Sequence, residues 1–67
     1  MRQRTVFYVW YATADENQNG THHKSEPFIL PAKAQAKANE MWKVADYVSI
    51  DQVYEKYKNG EWEALET

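Results

Sequence analysis

The side chains that could do chemistry are few, and most of them sit in one polar stretch. Asp15, Asn17 and Asn19 recur at every second residue, Gly20 follows, and Glu26 closes the set. Carboxylate and amide oxygens are the donors that hard divalent cations take. His22 and His23 stand side by side and are the chain's two histidines. Neighbours on an extended chain point to opposite sides, and two ligands are too few for a closed zinc site. They read as solvated loop histidines.

The stretch from Asp15 to Glu26 resembles the EF-hand calcium loop, D-x-[DN]-x-[DN]-G-x₅-E. The resemblance implies calcium ligation by side-chain oxygens of Asp15, Asn17 and Asn19, by the His22 carbonyl and by both oxygens of Glu26, with Gly20 at the sharp turn, and it covers that loop alone. An EF-hand sets a helix on each side of its loop. Here the preceding run is strand-like, and Pro27 follows Glu26 directly with an extended segment behind it. Asp, Asn and Gly also gather in hairpin loops for turn geometry alone. A polar hairpin loop without metal or cofactor is therefore the reading adopted, with calcium as its alternative.

Catalysis finds little footing. The chain has no cysteine, which removes a thiol nucleophile, disulfides and cysteine-ligated zinc together. Ser25 and Ser49 lie outside any G-x-S-x-G, and there is no glycine-rich phosphate loop. Glu55, Glu61, Glu63 and Glu66 could act as acid or base only if buried or paired. Most alternate with lysines, so they read as solubilising charge and as protection against edge-to-edge pairing. The expectation is a protein that is not an enzyme.

The elements that would position these residues follow from periodicity. Thr5 to Thr13, TVFYVWYAT, is β-branched or aromatic apart from Ala12 and predicts a strand. Phe7, Val9 and Tyr11 face one way, and Val6, Tyr8, Trp10 and Ala12 the other. With both faces apolar, the strand should be central and covered at least partly on both sides. Asn19-Gly20 predicts a hairpin turn, with Phe28-Ile29-Leu30 returning as an edge strand between Pro27 and Pro31. Counting from that turn pairs Tyr11 with Phe28 and Val9 with Leu30; a longer, irregular loop is equally open. Ala32 to Ala45 predicts a helix, with Ala34, Ala38, Met41 and Ala45 in one stripe. A stripe of small residues lets the helix approach the aromatic sheet closely.

Val53–Tyr57 and Trp62–Leu65 flank a second Asn-Gly pair, Asn59-Gly60. As a hairpin they set Lys58 opposite Glu61, Tyr57 opposite Trp62, Lys56 opposite Glu63 and Tyr54 opposite Leu65, which places opposite charges together. The rival is a helix capped by Ser49-x-x-Gln52, with Gly60 ending it. The hairpin accounts for the charges and is preferred. The resulting fold is α+β in the order β-β-α-β-β, a single domain whose four-stranded antiparallel sheet, ordered 2-1-3-4, packs on one helix.

If Phe7, Val9, Tyr11, Phe28 and Leu30 lie under the helix, then Val6, Tyr8, Trp10 and Ile29 form the opposite face. Tyrosine and tryptophan are common at partner interfaces. That face predicts contact with another protein or with a second copy of the chain, unless loops and chain ends close it. The alternative is single-stranded nucleic acid, with bases stacked on Tyr8 and Trp10 and phosphates on Arg2 and Arg4. A net charge of −2 argues against nucleic acid. No apolar run approaches the ~20 residues of a membrane span. The basic and apolar start, through Ala12-Thr13-Ala14, is shorter than the ~15–30 residues of a secretory signal. The expectation is a cytoplasmic interaction or regulatory module. At 67 residues it should be only marginally stable.

Overall fold

Strand β1 (Gln3–Ala12) runs through the middle of the sheet, as its two apolar faces require. The computed structural model describes residues 2–65. After β1 come α1 (Ala14–Gln18), β2 (His23–Lys24), α2 (Pro31–Met41), β3 (Tyr47–Lys58) and β4 (Glu61–Ala64). The four strands form one antiparallel sheet ordered β2-β1-β3-β4. β3 pairs with β1 along the full length of β1, from Gln3 opposite Lys56 to Ala12 opposite Tyr47. That long ladder decides between hairpin and helix for residues 50–58. It also starts β3 at Tyr47, six residues before the start the sequence pattern gives.

Helix α2 lies on the face that carries Phe7, Val9, Tyr11, Phe28 and Val48. Ala34 and Ala38 are buried against Val9, and Met41 packs beside them. Alanines in the contact bring the helix axis near the sheet, and the larger sheet side chains fill the space around it. Leu30, expected under the helix, is instead exposed and serves as its N-cap residue, with Pro31 in the first turn. The helix stops at Met41 rather than Ala45. Lys43 and Val44 close tighter i→i−3 bonds to Glu40 and Met41, and the Asp46 N–H bonds the Ala12 carbonyl at 3.0 Å. The Asp46 carboxylate also accepts from the Ala14 N–H at 2.7 Å. This anchor sets Tyr47 opposite Ala12 and obliges the chain to leave the helix early.

The two Asn-Gly pairs have different structures. Asn59 and Gly60 both have positive φ, 53° and 83°, which is the type I′ hairpin turn. The register across it is the expected one: Lys58 faces Glu61, Tyr57 faces Trp62 and Lys56 faces Glu63. The Leu65 N–H reaches the Tyr54 carbonyl at 2.7 Å. Asn19-Gly20, by contrast, ends α1. The Thr21 N–H bonds Glu16 O at 2.8 Å, and the Gly20 N–H bonds Asn17 O at 3.2 Å, with Gly20 at φ 73°. These are the two bonds of a Schellman C-terminus.

Because α1 takes up the start of the connection, the returning strand is His23–Lys24, with Tyr11 opposite His23 and Trp10 opposite Lys24. Phe28–Leu30 is not a strand, and Phe28 makes only a bridge to Phe7. Between these points the ladder slips by one residue. The Ser25 N–H donates to Val9 O at 2.9 Å, but the Val9 N–H donates to the Ser25 hydroxyl, also at 2.9 Å. Glu26 and Pro27 then stand opposite the single residue Tyr8, forming a β-bulge.

The closeness of α2 to the sheet is testable at Ala38. Ala38→Leu should push the helix outward and lower stability by about 1–3 kcal/mol, the usual cost of overpacking. Urea denaturation followed by tryptophan fluorescence would measure it.

Candidate functional site

The face of the sheet away from α2 is closed by long side chains and not by backbone. Arg4 stands opposite Glu55 across β1 and β3. Its Nε and Nη2 both lie 2.8 Å from Glu55 Oε1, and the Tyr8 hydroxyl donates to Oε2 at 2.8 Å. Tyr8 stands opposite Asp51, so its side chain must cross the Val6–Val53 pair to reach Glu55. Val6 is accordingly 0% exposed, although no helix covers it.

Cations and aromatic rings extend this cluster across the sheet. The Lys24 ammonium sits 4.5 Å from the Tyr8 ring centre and 5.5 Å from that of Trp10. The Arg4 guanidinium lies 4.2 Å from the Trp62 ring centre, and Trp62 meets Tyr57 edge to face at 5.2 Å. Arg2 lies over Tyr57. Burial, with the carboxylate of Glu55 as hydrogen-bond acceptor and negative neighbour, raises the Tyr8 phenol above its ordinary value of 10.0.

Of the residues expected to form a contact face, Tyr8 and Trp10 are half-buried here, each with Lys24 over its ring. Val6 is fully buried. Ile29 is exposed, in the bend before α2. Glu55 departs from the expectation of solvated charge. Strand alternation turns it onto the Arg4 face, where it is 5% exposed. Glu61 and Glu63 are exposed on β4, and Glu66 lies outside the described residues.

The calcium-loop residues do not converge. Asp15 and Asn17 are in α1 and Asn19 caps its end. Side chains two apart on a helix point about 200° from each other by its 3.6-residue turn. Asn17 Oδ1 is bonded to His22 Nε2 at 3.0 Å. Counted from Asp15, moreover, the carbonyl position of such a loop is Thr21, not His22. Glu26 is exposed in the bulge. Among the described residues, no group of three or more His, Cys, Asp or Glu side chains is arranged to hold a metal.

A missed sequence signal explains the difference. Thr13-x-x-Glu16 is a capping box: Glu16 accepts from the Thr13 N–H at 2.9 Å, and the Glu16 N–H bonds the Thr13 hydroxyl at 3.3 Å. The Thr13 N–H and the His23 imidazole on this carboxylate hold Glu16 below its usual value.

Two other features emerge. A cleft of about 270 Å³ is lined by Trp10, His22, Trp42 and Tyr47. The second feature is the outer edge of β3. The Tyr57 N–H bonds Arg2 O and the Leu65 N–H bonds Tyr54 O, so odd-numbered residues of β3 bond to β1 and even-numbered ones face β4. Among the described residues, pairing with β4 runs from Glu61 to Ala64, opposite Glu55, and to the Leu65–Tyr54 bond beyond it. Among the described residues, nothing pairs with the outward N–H and C=O groups of Val48, Ile50 and Gln52. β3 pairs with β1 here without a bulge, and Asp51 is the one charged residue between Tyr47 and Val53. The other edge of the sheet is guarded by Lys24, the bulge and Pro27. No helix among the described residues is long and apolar enough to cross a membrane. No protein-family model, curated protein or solved structure matches the chain.

The Glu55 cluster gives two testable expectations. Tyr8→Phe should leave a buried carboxylate oxygen without its donor and lower stability by about 1–3 kcal/mol at neutral pH, as read from the denaturant midpoint. The raised Tyr8 pKa means that the folded chain holds the phenolic proton more tightly than the unfolded chain. Its stabilisation is therefore full below pH 10.0 and is lost as pH rises through the folded-state value. Phenolate absorbance should show one tyrosine titrating late, coincident with unfolding, and Tyr8→Phe should remove that step.

Proposed function

We propose that this chain is a non-enzymatic protein-interaction module that takes an extended segment of a partner along the open edge of β3. The observation that carries this reading is the row of backbone groups at Val48, Ile50 and Gln52 that are unpaired among the described residues, on a bulge-free stretch of β3 where Asp51 is the one charged residue between Tyr47 and Val53. Such an edge is a template for strand addition, in which main-chain hydrogen bonds supply affinity and alternate side chains supply specificity. Exposed apolar side chains lie beside it: Tyr47 and Ile50 are on this stretch of β3, and Trp42 shares a cleft with Tyr47, Val48 and Ser49.

The proposal therefore favours β3 over the Tyr8–Trp10 face as the interaction surface. On that face Val6 is buried and Lys24 occupies both rings. The same observation weakens the nucleic-acid alternative, because Tyr8 and Trp10 carry a cation where a base would stack and Arg4 is held by Glu55. The proposal sets the module in the cytoplasm. Small domains of oxidising compartments are ordinarily stapled by disulfides, and this chain has no cysteine.

Selection of a displayed random-peptide library on the immobilised chain would test the reading. Selected peptides should shift the amide resonances of Val48, Ile50 and Gln52, and Gln52→Pro should abolish their binding. The Gln52 N–H points outward, so proline there removes no bond to β1. Peptides that bind without moving these amides would overturn the proposal.

A further inference from the structure

We infer that the strand which completes this edge is β3 of a second copy of the chain, so that two four-stranded sheets join into one sheet of eight about a two-fold axis. The inference rests on the strand-docking reading above and names its partner.

Three observations carry it. The first is the poverty of the core. The buried hydrophobic residues are Val6, Val9, Ala12, Ala34 and Ala38, of which the largest fully buried are the two valines. Trp42, Tyr47, Ile50 and Tyr54 stay exposed along or beside β3. In a chain of 67 residues with so small a fully buried core, covering exposed apolar side chains with a partner adds stabilisation. The second is the side-chain pattern of the edge. Val48, Ile50 and Gln52 lie on the face that carries α2, and all are uncharged. Antiparallel pairing of two copies about Ile50 sets Ile50 beside Ile50 and Val48 beside Gln52, all within cross-strand contact.

The third observation is charge. In that arrangement Asp51 faces Ser49, so the one acid of the edge never meets its own copy. Parallel in-register stacking would instead place Asp51 on Asp51, which is unfavourable. The edge therefore favours a closed, two-fold pair over an open stack of strands. A two-fold axis perpendicular to the sheet keeps both α2 helices on the same side, with the two Ile50 side chains between them.

Analytical ultracentrifugation of the full chain over a wide concentration range is the first measurement. The second is an isotope-filtered NMR experiment on a mixture of labelled and unlabelled chain, with amide hydrogen exchange at Val48, Ile50 and Gln52. The expected result is a species of twice the 7.9 kDa chain mass. It should show inter-copy contacts between Ile50 and Val48 or Gln52 and slowed exchange at the three amides. Gln52→Pro should return it to a monomer with an unchanged helix and sheet signature. A dimer with contacts elsewhere, or one indifferent to Gln52→Pro, overturns the inference. A monomer at millimolar concentration with fast exchange at these amides overturns the second copy as partner but leaves the edge open to a different strand. A monomer with the three amides protected shows the edge closed within the chain, and both readings fall.

Discussion

β1 turns apolar side chains toward both faces of the sheet, and the chain has one helix long enough to cover a face. Most of the architecture answers that constraint. On one side α2 presses alanines onto Val9. On the other, Tyr8 lies along the sheet over Val6 and ends on Glu55, which Arg4 neutralises. A carboxylate costs several kcal/mol to bury alone, and a buried ion pair is weak evidence of net stabilisation. Its more secure effect is on register. With Arg4 opposite Glu55, a one-residue slip of β3 on β1 would move the carboxylate to the helix face and expose Val6. No buried side-chain polar atom among the described residues lacks a partner, so the arrangement is complete as it stands.

Small size sharpens the same constraint. The interior holds valines and alanines, and the tryptophans act as half-covered lids or stay exposed. Trp62 is capped by Arg4 and braced by Tyr57, which turns a pair of aromatic side chains on the second hairpin into cover for the helix-free face. The second hairpin contributes to closure through these side chains, although β4 is only four residues long.

How much of this was legible in the sequence differs between the two halves. The central strand, its two faces, the alanine stripe, the sheet order and the register of the second hairpin follow from periodicity and charge; for the hairpin, a capped helix fits the spacing too, and the charge pairing decides against it. Asn59-Gly60 sat between runs whose charges matched only in that register. Asn19-Gly20 carried the same dipeptide, but the Thr13-x-x-Glu16 box upstream made it a helix end, and the capping bonds outweighed the hairpin geometry. Glu55 reads as surface charge in the sequence because alternation with Lys56 and Lys58 looks the same whether a carboxylate faces water or a guanidinium 51 residues away. The extent of β3 was hidden for a similar reason. Tyr47 to Gln52 alternates weakly by itself and becomes a strand only through pairing with β1. Among the described residues, the open edge is a difference in length between two strands, which no local pattern encodes.

The bulge at Glu26-Pro27 has a consequence for the core. Had the ladder continued from Lys24 without a slip, Phe28 would stand opposite Val6 and point away from α2. The extra residue advances the chain by half a pleat and delivers the ring to Phe7 and Val9 instead. Because the Ser25 hydroxyl takes the place of a main-chain acceptor for Val9, the ladder absorbs that phase change without an orphaned amide. Which side of the molecule receives its largest edge hydrophobe is thus decided by one surplus residue and one hydroxyl group.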